Sequence, residues 1–138
     1  MANLNEALNK ALANEGATNK KLGYNNTPRD RGGETVAGIA RNMNPGWQGW
    51  ALVDRHKKDA NFPYSLKQDA TLLQLINSFY KTEFWDKVGG DAIDNQAIAD
   101  ELMDTAINNG VAPALSMAGT VLGTWDKGNT IGHINDLA

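Results

Sequence analysis

Cysteine is absent from this 138-residue chain, which excludes disulfides, thiol nucleophiles and cysteine-ligated zinc or iron–sulfur sites. Histidine is scarce: His56 and His133 stand far apart, at no spacing that suits a metal, and no metal or other cofactor is expected. Positive charge is short as well. The 13 Lys and Arg against 16 Asp and Glu leave a net charge of −3, with no broad basic field for phosphates, so nucleic acid is not an expected partner. No window approaches the ~20 apolar residues a membrane helix requires, and no membrane insertion is expected. Met1-Ala2-Asn3-Leu4-Asn5-Glu6 has no basic stretch followed by an apolar run, so no secretory signal is read and synthesis in the cytoplasm is expected. What remains is an ordinary globular composition, 41% hydrophobic and 21% charged, which argues against disorder and suits one compact domain with a real core.

Along the chain, helical spacing dominates. Leu4, Leu8, Ala11 and Leu12 form one apolar stripe over residues 3–14, and Gly16 follows as a stop after Glu15. Residues 16–33, rich in Gly, Asn and Thr and holding Pro28 and Gly32-Gly33, read as a long irregular loop of the kind that often carries function. A short helix is expected over Thr35 to Met43, broken by Asn44-Pro45-Gly46. Another is expected to carry Trp47, Trp50, Ala51 and Val53 into the charge run 54–59. Asn61 to Pro63 reads as a turn. The strongest helical signal spans Leu66 to Trp85, with Leu72, Leu75, Ile76, Phe79 and Tyr80 on one face, and Gly89-Gly90 ends it. Asp94 is the expected N-cap of a helix bearing Ala97, Ile98, Met103, Ala106 and Ile107, closed at Asn108-Asn109-Gly110. Pro113 suits the first turn of a further helix through Leu122, and Ile131 begins an expected last one. No stretch alternates strongly enough for a large sheet. The fold class is all-α.

Glu15 closes the first helix, where the negative end of the helix dipole disfavours its carboxylate and raises its pKa. A carboxylic acid still protonated near neutral pH can donate to a leaving oxygen, as glycosidic cleavage requires. Position alone is a weak signal, because an exposed helix-end glutamate looks the same.

A set of motifs in order sharpens this. Glu15-Gly16-Ala17 is followed by Tyr24, Asn26, Pro28, Asp30, Gly32-Gly33, Thr35 and Gly38-Ile39. Tyr80-Lys81 with Phe84-Trp85-Asp86 comes next, then Asp104 through Gly110. Over nearly its whole length the chain resembles glycoside hydrolase family 108, the N-acetylmuramidase-type lysozymes, whose relatives include phage endolysins and proteins once labelled secretion activators. The resemblance implies a lysozyme-like helical unit, with the catalytic region in residues 1–88 and a helical, peptidoglycan-binding subdomain in 89–138. It implies Glu15 as general acid, Asp30 as second carboxylate, and a substrate surface of Tyr24, Asn26, Gly32, Gly33, Thr35 and Trp47. Three departures are visible: residues 18–23 intervene before Tyr24, Ala17 replaces the second glycine, and Ala37 stands where a tyrosine often precedes Gly-Ile. Ala138 comes where the resemblance implies another helix.

Each residue also has a plain structural reading. Asp30 in a Pro-x-Asp-x-Gly-Gly loop also suits a turn cap, Thr35 a helix N-cap, and Trp47 with Trp50 the pinning of a short helix. Glu34 reads as a solvent-exposed third acid, Phe79 to Trp85 as core, and His56 as part of a solvated face without a catalytic role. The implied activity is cleavage of the β-1,4 bond between N-acetylmuramic acid and N-acetylglucosamine in peptidoglycan. A lytic transglycosylase using the same glutamate and a non-catalytic wall-binding protein are the alternatives. A helical interaction or DNA-binding domain ranks last. A monomer is expected, reaching the bacterial wall by holin-assisted export as a phage-derived enzyme would.

Overall fold

The computed structural model describes residues 2–14, 19–27 and 31–121. Glu15, Ala17, Pro28, Asp30 and the expected last helix from Ile131 lie outside the described residues. The chain is mainly helical, in the all-α class, and falls into two compact units, Leu12–Ser78 and Met1–Ala11 with Phe79–Ala138.

Within Leu12–Ser78, three short strands form an antiparallel sheet in the order β1-β2-β3: β1 Asn25–Asn26, β2 Glu34–Val36 and β3 Ile39–Ala40. Asn26 pairs with Glu34, Asn25 with Thr35, Thr35 with Ala40 and Val36 with Ile39. The helix expected over Thr35 to Met43 is therefore a β-hairpin. Its physical reason is the turn: Ala37 and Gly38 both take positive φ (50° and 80°), a two-residue turn whose twist matches the flanking strands. β-Branched Val36 and Ile39, both buried, close it from either side. A left-handed alanine costs on the order of 1 kcal/mol, offset here because the Ala37 N–H donates to the Leu22 carbonyl at 2.9 Å within a fully buried site.

Helix α2 spans Gly49–His56, a 3₁₀ segment spans Tyr64–Gln68, and α3 spans Ala70–Tyr80. The single helix expected from Leu66 is thus interrupted at Asp69, whose backbone is extended. The Asp69 carboxylate then accepts the Leu72 N–H at 3.1 Å, restarting the chain as an N-cap does. Trp50, Val53, Leu66, Leu72 and Ile76 are among the buried residues of this unit.

The other unit is built from helices. Asn3 caps α1 (Leu4–Asn14), its side-chain oxygen accepting the Asn5 and Glu6 N–H groups at 2.8 and 3.3 Å. After α3 the chain passes into a π-helical turn, Lys81–Trp85, then α4, Asp86–Val88, which ends at left-handed Gly89 as anticipated. Tyr80 and Trp85, five apart, are both fully buried, a spacing the wider π turn accommodates. The Trp85 indole N–H donates to Asp91 at 2.8 Å. Helix α5 covers Gln96–Asn109 and α6 Val111–Val121, with Pro113 in its first turn. Asn95, not Asp94, is the N-cap of α5: its side chain accepts the Ile98 N–H at 3.1 Å from an extended backbone. Among the described residues, no helix is long and apolar enough to cross a membrane.

Candidate functional site

Strand periodicity brings an acid inside. In β2 the buried positions are Glu34 and Val36, with Thr35 between them facing the other way. Glu34 is 8% exposed, which corrects its expected solvent-facing role. A carboxylate withdrawn from water costs several kcal/mol unless it is paired and hydrogen-bonded, and Glu34 has three donors. Oε1 accepts from the Arg41 guanidinium at 2.8 Å, and Oε2 takes the Lys57 ammonium at 2.8 Å and the Tyr24 hydroxyl at 2.5 Å.

The two cations are shared with a second acid. Arg41 grips Asp54 through two parallel bonds of 2.7 and 2.8 Å, and Lys57 meets Asp54 Oδ1 at 3.1 Å. The result is a closed ring of alternating charge, Glu34–Arg41–Asp54–Lys57, with the Tyr24 phenol attached at Glu34. Arg41 also lies over the Trp50 ring at 5.2 Å, a cation–π contact that adds to the hold on the guanidinium. The Trp50 indole N–H donates to the Asn44 carbonyl at 2.9 Å.

Electrostatics follow from the ring. Burial is the largest single influence on Glu34 and favours its protonated form. The bonds from Lys57, Tyr24 and Arg41 together outweigh it, and its pKa lies below the ordinary glutamate value. Asp54 is held well below the usual carboxylate range, mainly by Arg41. The Tyr24 phenol is pushed far above its ordinary value, by burial first and by Glu34 second, so it stays a hydrogen-bond donor across the physiological range. Neither Glu34 nor Asp54 can therefore serve as a proton-donating acid near neutrality.

The expected substrate residues spread along this unit. Tyr24 is partly exposed, its ring edge-on to Phe62 at 4.9 Å, immediately before β1. Asn26 is exposed on β1, opposite Glu34. Thr35 caps no helix; it lies mid-strand, its hydroxyl donating to the Asn25 carbonyl at 3.4 Å. Gly32 accepts the Asn42 N–H at 3.0 Å through its carbonyl. Gly33 takes φ 68°, the left-handed backbone that favours glycine, with the Asn42 side chain close beside it. Trp47 precedes α2 rather than lying on it, and meets Trp50 edge-to-face at 5.3 Å. A Cβ on Gly49 would lie 2.3 Å from the Trp47 ring, so glycine is what admits the indole there. Ala37, which stands where a tyrosine often precedes Gly-Ile, is fully buried. Glu15 and Asp30 fall outside the described residues.

Sequence reasoning missed Arg41, Asp54 and Lys57 altogether. One signal was available: Asp54 and Lys57, three apart, share a side of the α2 terminus. It also placed His56 on a solvated face. His56 is instead clamped between two carboxylates, Nδ1 at 2.6 Å from Asp59 and Nε2 at 2.7 Å from Asp69. Carboxylates only accept, so the ring satisfies both when doubly protonated, and its pKa is raised by Asp59 and then Asp69. Among the described residues, no group of three or more His, Asp or Glu side chains is arranged to hold a metal ion.

Comparison with curated proteins gives no match, and comparison with solved structures gives none either. Residues 8–110 match the family model described as Glycosyl hydrolase 108, and the chain belongs to that glycoside hydrolase family.

Proposed function

We propose that this protein is a peptidoglycan hydrolase of the N-acetylmuramidase type. It would cleave the β-1,4 bond between N-acetylmuramic acid and N-acetylglucosamine, with Glu15 as general acid. The observation that carries the reading is the family match over residues 8–110, which spans Glu15, the Tyr24 to Ile39 motif series and the Asp104 to Gly110 segment. A second consideration supports Glu15 over its neighbours in sequence: Glu34 and Asp54 are both held ionised by cations, which unfits them to donate a proton.

In this reaction the Glu15 carboxyl gives its proton to the bridging oxygen as the bond to the anomeric carbon breaks. A water supplies the hydroxyl that ends on that carbon. Its proton returns to a carboxylate, with Asp30 stabilising the oxocarbenium-like transition state or holding the water. Tyr24, Asn26, Gly32, Gly33, Thr35 and Trp47 would form the substrate surface, within a catalytic region that residues 1–88 are proposed to contain. Residues 89–138 would form the helical part that adds contact with the wall. The enzyme would act at the bacterial cell wall as a monomer, reaching it by holin-assisted release.

The test is direct. Purified protein and its Glu15→Gln variant are incubated with isolated peptidoglycan, and released fragments are identified by mass spectrometry. Glutamine keeps the shape but has no acid proton, so a loss of at least about 100-fold in rate is expected, with wild type leaving reducing N-acetylmuramic ends. Anhydro ends would reassign the chemistry to a transglycosylase, and equal release by both proteins would remove Glu15 from the mechanism.

A further inference from the structure

The Glu34 ring is not explained by stability alone. Replacing a buried ion pair with apolar residues of similar volume is often neutral or favourable, so an ionised glutamate 8% exposed invites a reason beyond holding the hairpin. Its third partner supplies one. Arg41 and Lys57 already balance Glu34 electrically, with Asp54 balancing them in turn, yet Glu34 Oε2 also accepts the Tyr24 hydroxyl at 2.5 Å. Tyr24 is thereby held at several points: its hydroxyl by Glu34 and by the Asn26 side chain, its ring by the Phe62 edge at 4.9 Å, and its backbone N–H by the Lys21 carbonyl at 3.0 Å. The residue as a whole remains partly exposed. An aromatic ring held this firmly at a surface has the form of a platform for a flat, weakly polar face such as that of a pyranose.

We infer that Glu34 is a positioning residue for sugar binding: with its charge balanced by Arg41 and Lys57, it fixes the Tyr24 ring in the orientation that receives a saccharide unit of the substrate. The inference rests on the hydrolase reading for the identity of the ligand. Glu34 touches no sugar itself and acts through Tyr24. The ion pairs keep Glu34 a pure acceptor, so the phenol hydrogen has one place to go, and the ring loses its rotational freedom before substrate arrives. Ordering that precedes binding lowers the cost of binding. The effect therefore falls on affinity and leaves bond breaking alone, as for any contact equally strong in the ground and transition states.

The experiment uses the full chain with Tyr24→Phe, Glu34→Gln, Glu34→Ala and the Tyr24→Phe/Glu34→Gln double variant, each checked for native circular dichroism. Alkaline titration at 295 nm, taken as the wild type minus Tyr24→Phe difference, isolates one phenol among three tyrosines. That phenol is expected to ionise well above the ordinary value of about 10, and to return toward it in Glu34→Gln, read against the double variant. On soluble peptidoglycan fragments, Tyr24→Phe and Glu34→Gln should each raise KM about 3- to 10-fold, the effect of one net hydrogen bond, with kcat nearly unchanged. The double variant should be no worse than the poorer single, because both remove the same contact. Additive losses, a fall in kcat without a rise in KM, or an ordinary titration of Tyr24 would each overturn the inference. Failure of the hydrolase reading is separately visible, as no fragment release by wild type or no effect of Glu15→Gln. In that event fragment affinity is read in place of KM: a coupled loss supports the positioning role, and unchanged affinity in every variant ends it.

Discussion

Among the described residues, the two polar residues buried as a whole, Glu34 and Ser65, belong to Leu12–Ser78, whereas the large residues buried as a whole in the other unit are apolar, Tyr80, Trp85, Val88, Ile93 and Met103 among them. Ion pairs divide the same way. In Leu12–Ser78 they converge on a withdrawn carboxylate and share partners, in the Glu34–Arg41–Asp54–Lys57 ring. In the other unit the pairs share no partner with one another, and each has a well-exposed lysine: Lys81–Asp86, Lys87–Glu83 and Lys10–Asp100, whose carboxylate is itself withdrawn and also accepts from Gln96 at 2.7 Å. The lesson is that charge has two uses in one chain. Solvated pairs on helices contribute little and tolerate loss, while a ring of groups sharing a buried acid sets where particular side chains stand.

Three measurements sharpen this contrast, from the largest expected effect downward. Trp85→Ala removes a fully buried ring and orphans its bond to Asp91, and should cost about 3–5 kcal/mol in urea unfolding. A cost below about 1 kcal/mol would mean the helical unit does not depend on its apolar core. Next comes the His56 clamp. A raised folded pKa stabilises fully below the unfolded value of about 6.5 and is lost as pH rises through the folded one. The lowered pKa of Asp69 works in reverse: its contribution is present above about 3.9 and lost as pH falls through the folded value. The wild-type urea midpoint should therefore drop between pH 5.5 and 8.5, and His56→Gln should flatten that drop; parallel profiles for the two proteins would show that the clamp does not couple to folding. Smallest is Lys87→Ala, which deletes an exposed pair to Glu83 four residues away and should change stability by about 0.5 kcal/mol or less. A larger loss there would erase the distinction drawn between the two kinds of pair.

Much of the helical frame was legible. Leu4, Leu8 and Ala11, or Leu72, Ile76 and Tyr80, repeat at helical spacing, and Gly89 and Gly110 stop helices as glycine does at such ends. The N-cap of α5 was misplaced by one residue because Asp94 and Asn95 are equally good caps, and only the backbone turn at Asn95 separates them. The β2–β3 hairpin was illegible for a sharper reason. Its turn places alanine at φ 50°, a conformation local preference opposes, sustained by a hydrogen bond to Leu22 fifteen residues earlier. With the strand unrecognised, the alternation that turns Glu34 inward with Val36 was hidden as well.

Local periodicity and end signals settled the all-α class and the apolar faces, which depend on residues a few positions apart, while the family rested on the resemblance of motifs in order. Whether Glu34 faces water or sits inside a ring of charge depends on Tyr24 ten positions before it and Lys57 twenty-three after. The same holds for His56, whose partner Asp69 begins a different helix. Burial and charge pairing are sums over neighbours in space, and a chain read in order does not reveal which neighbours those are until it is folded.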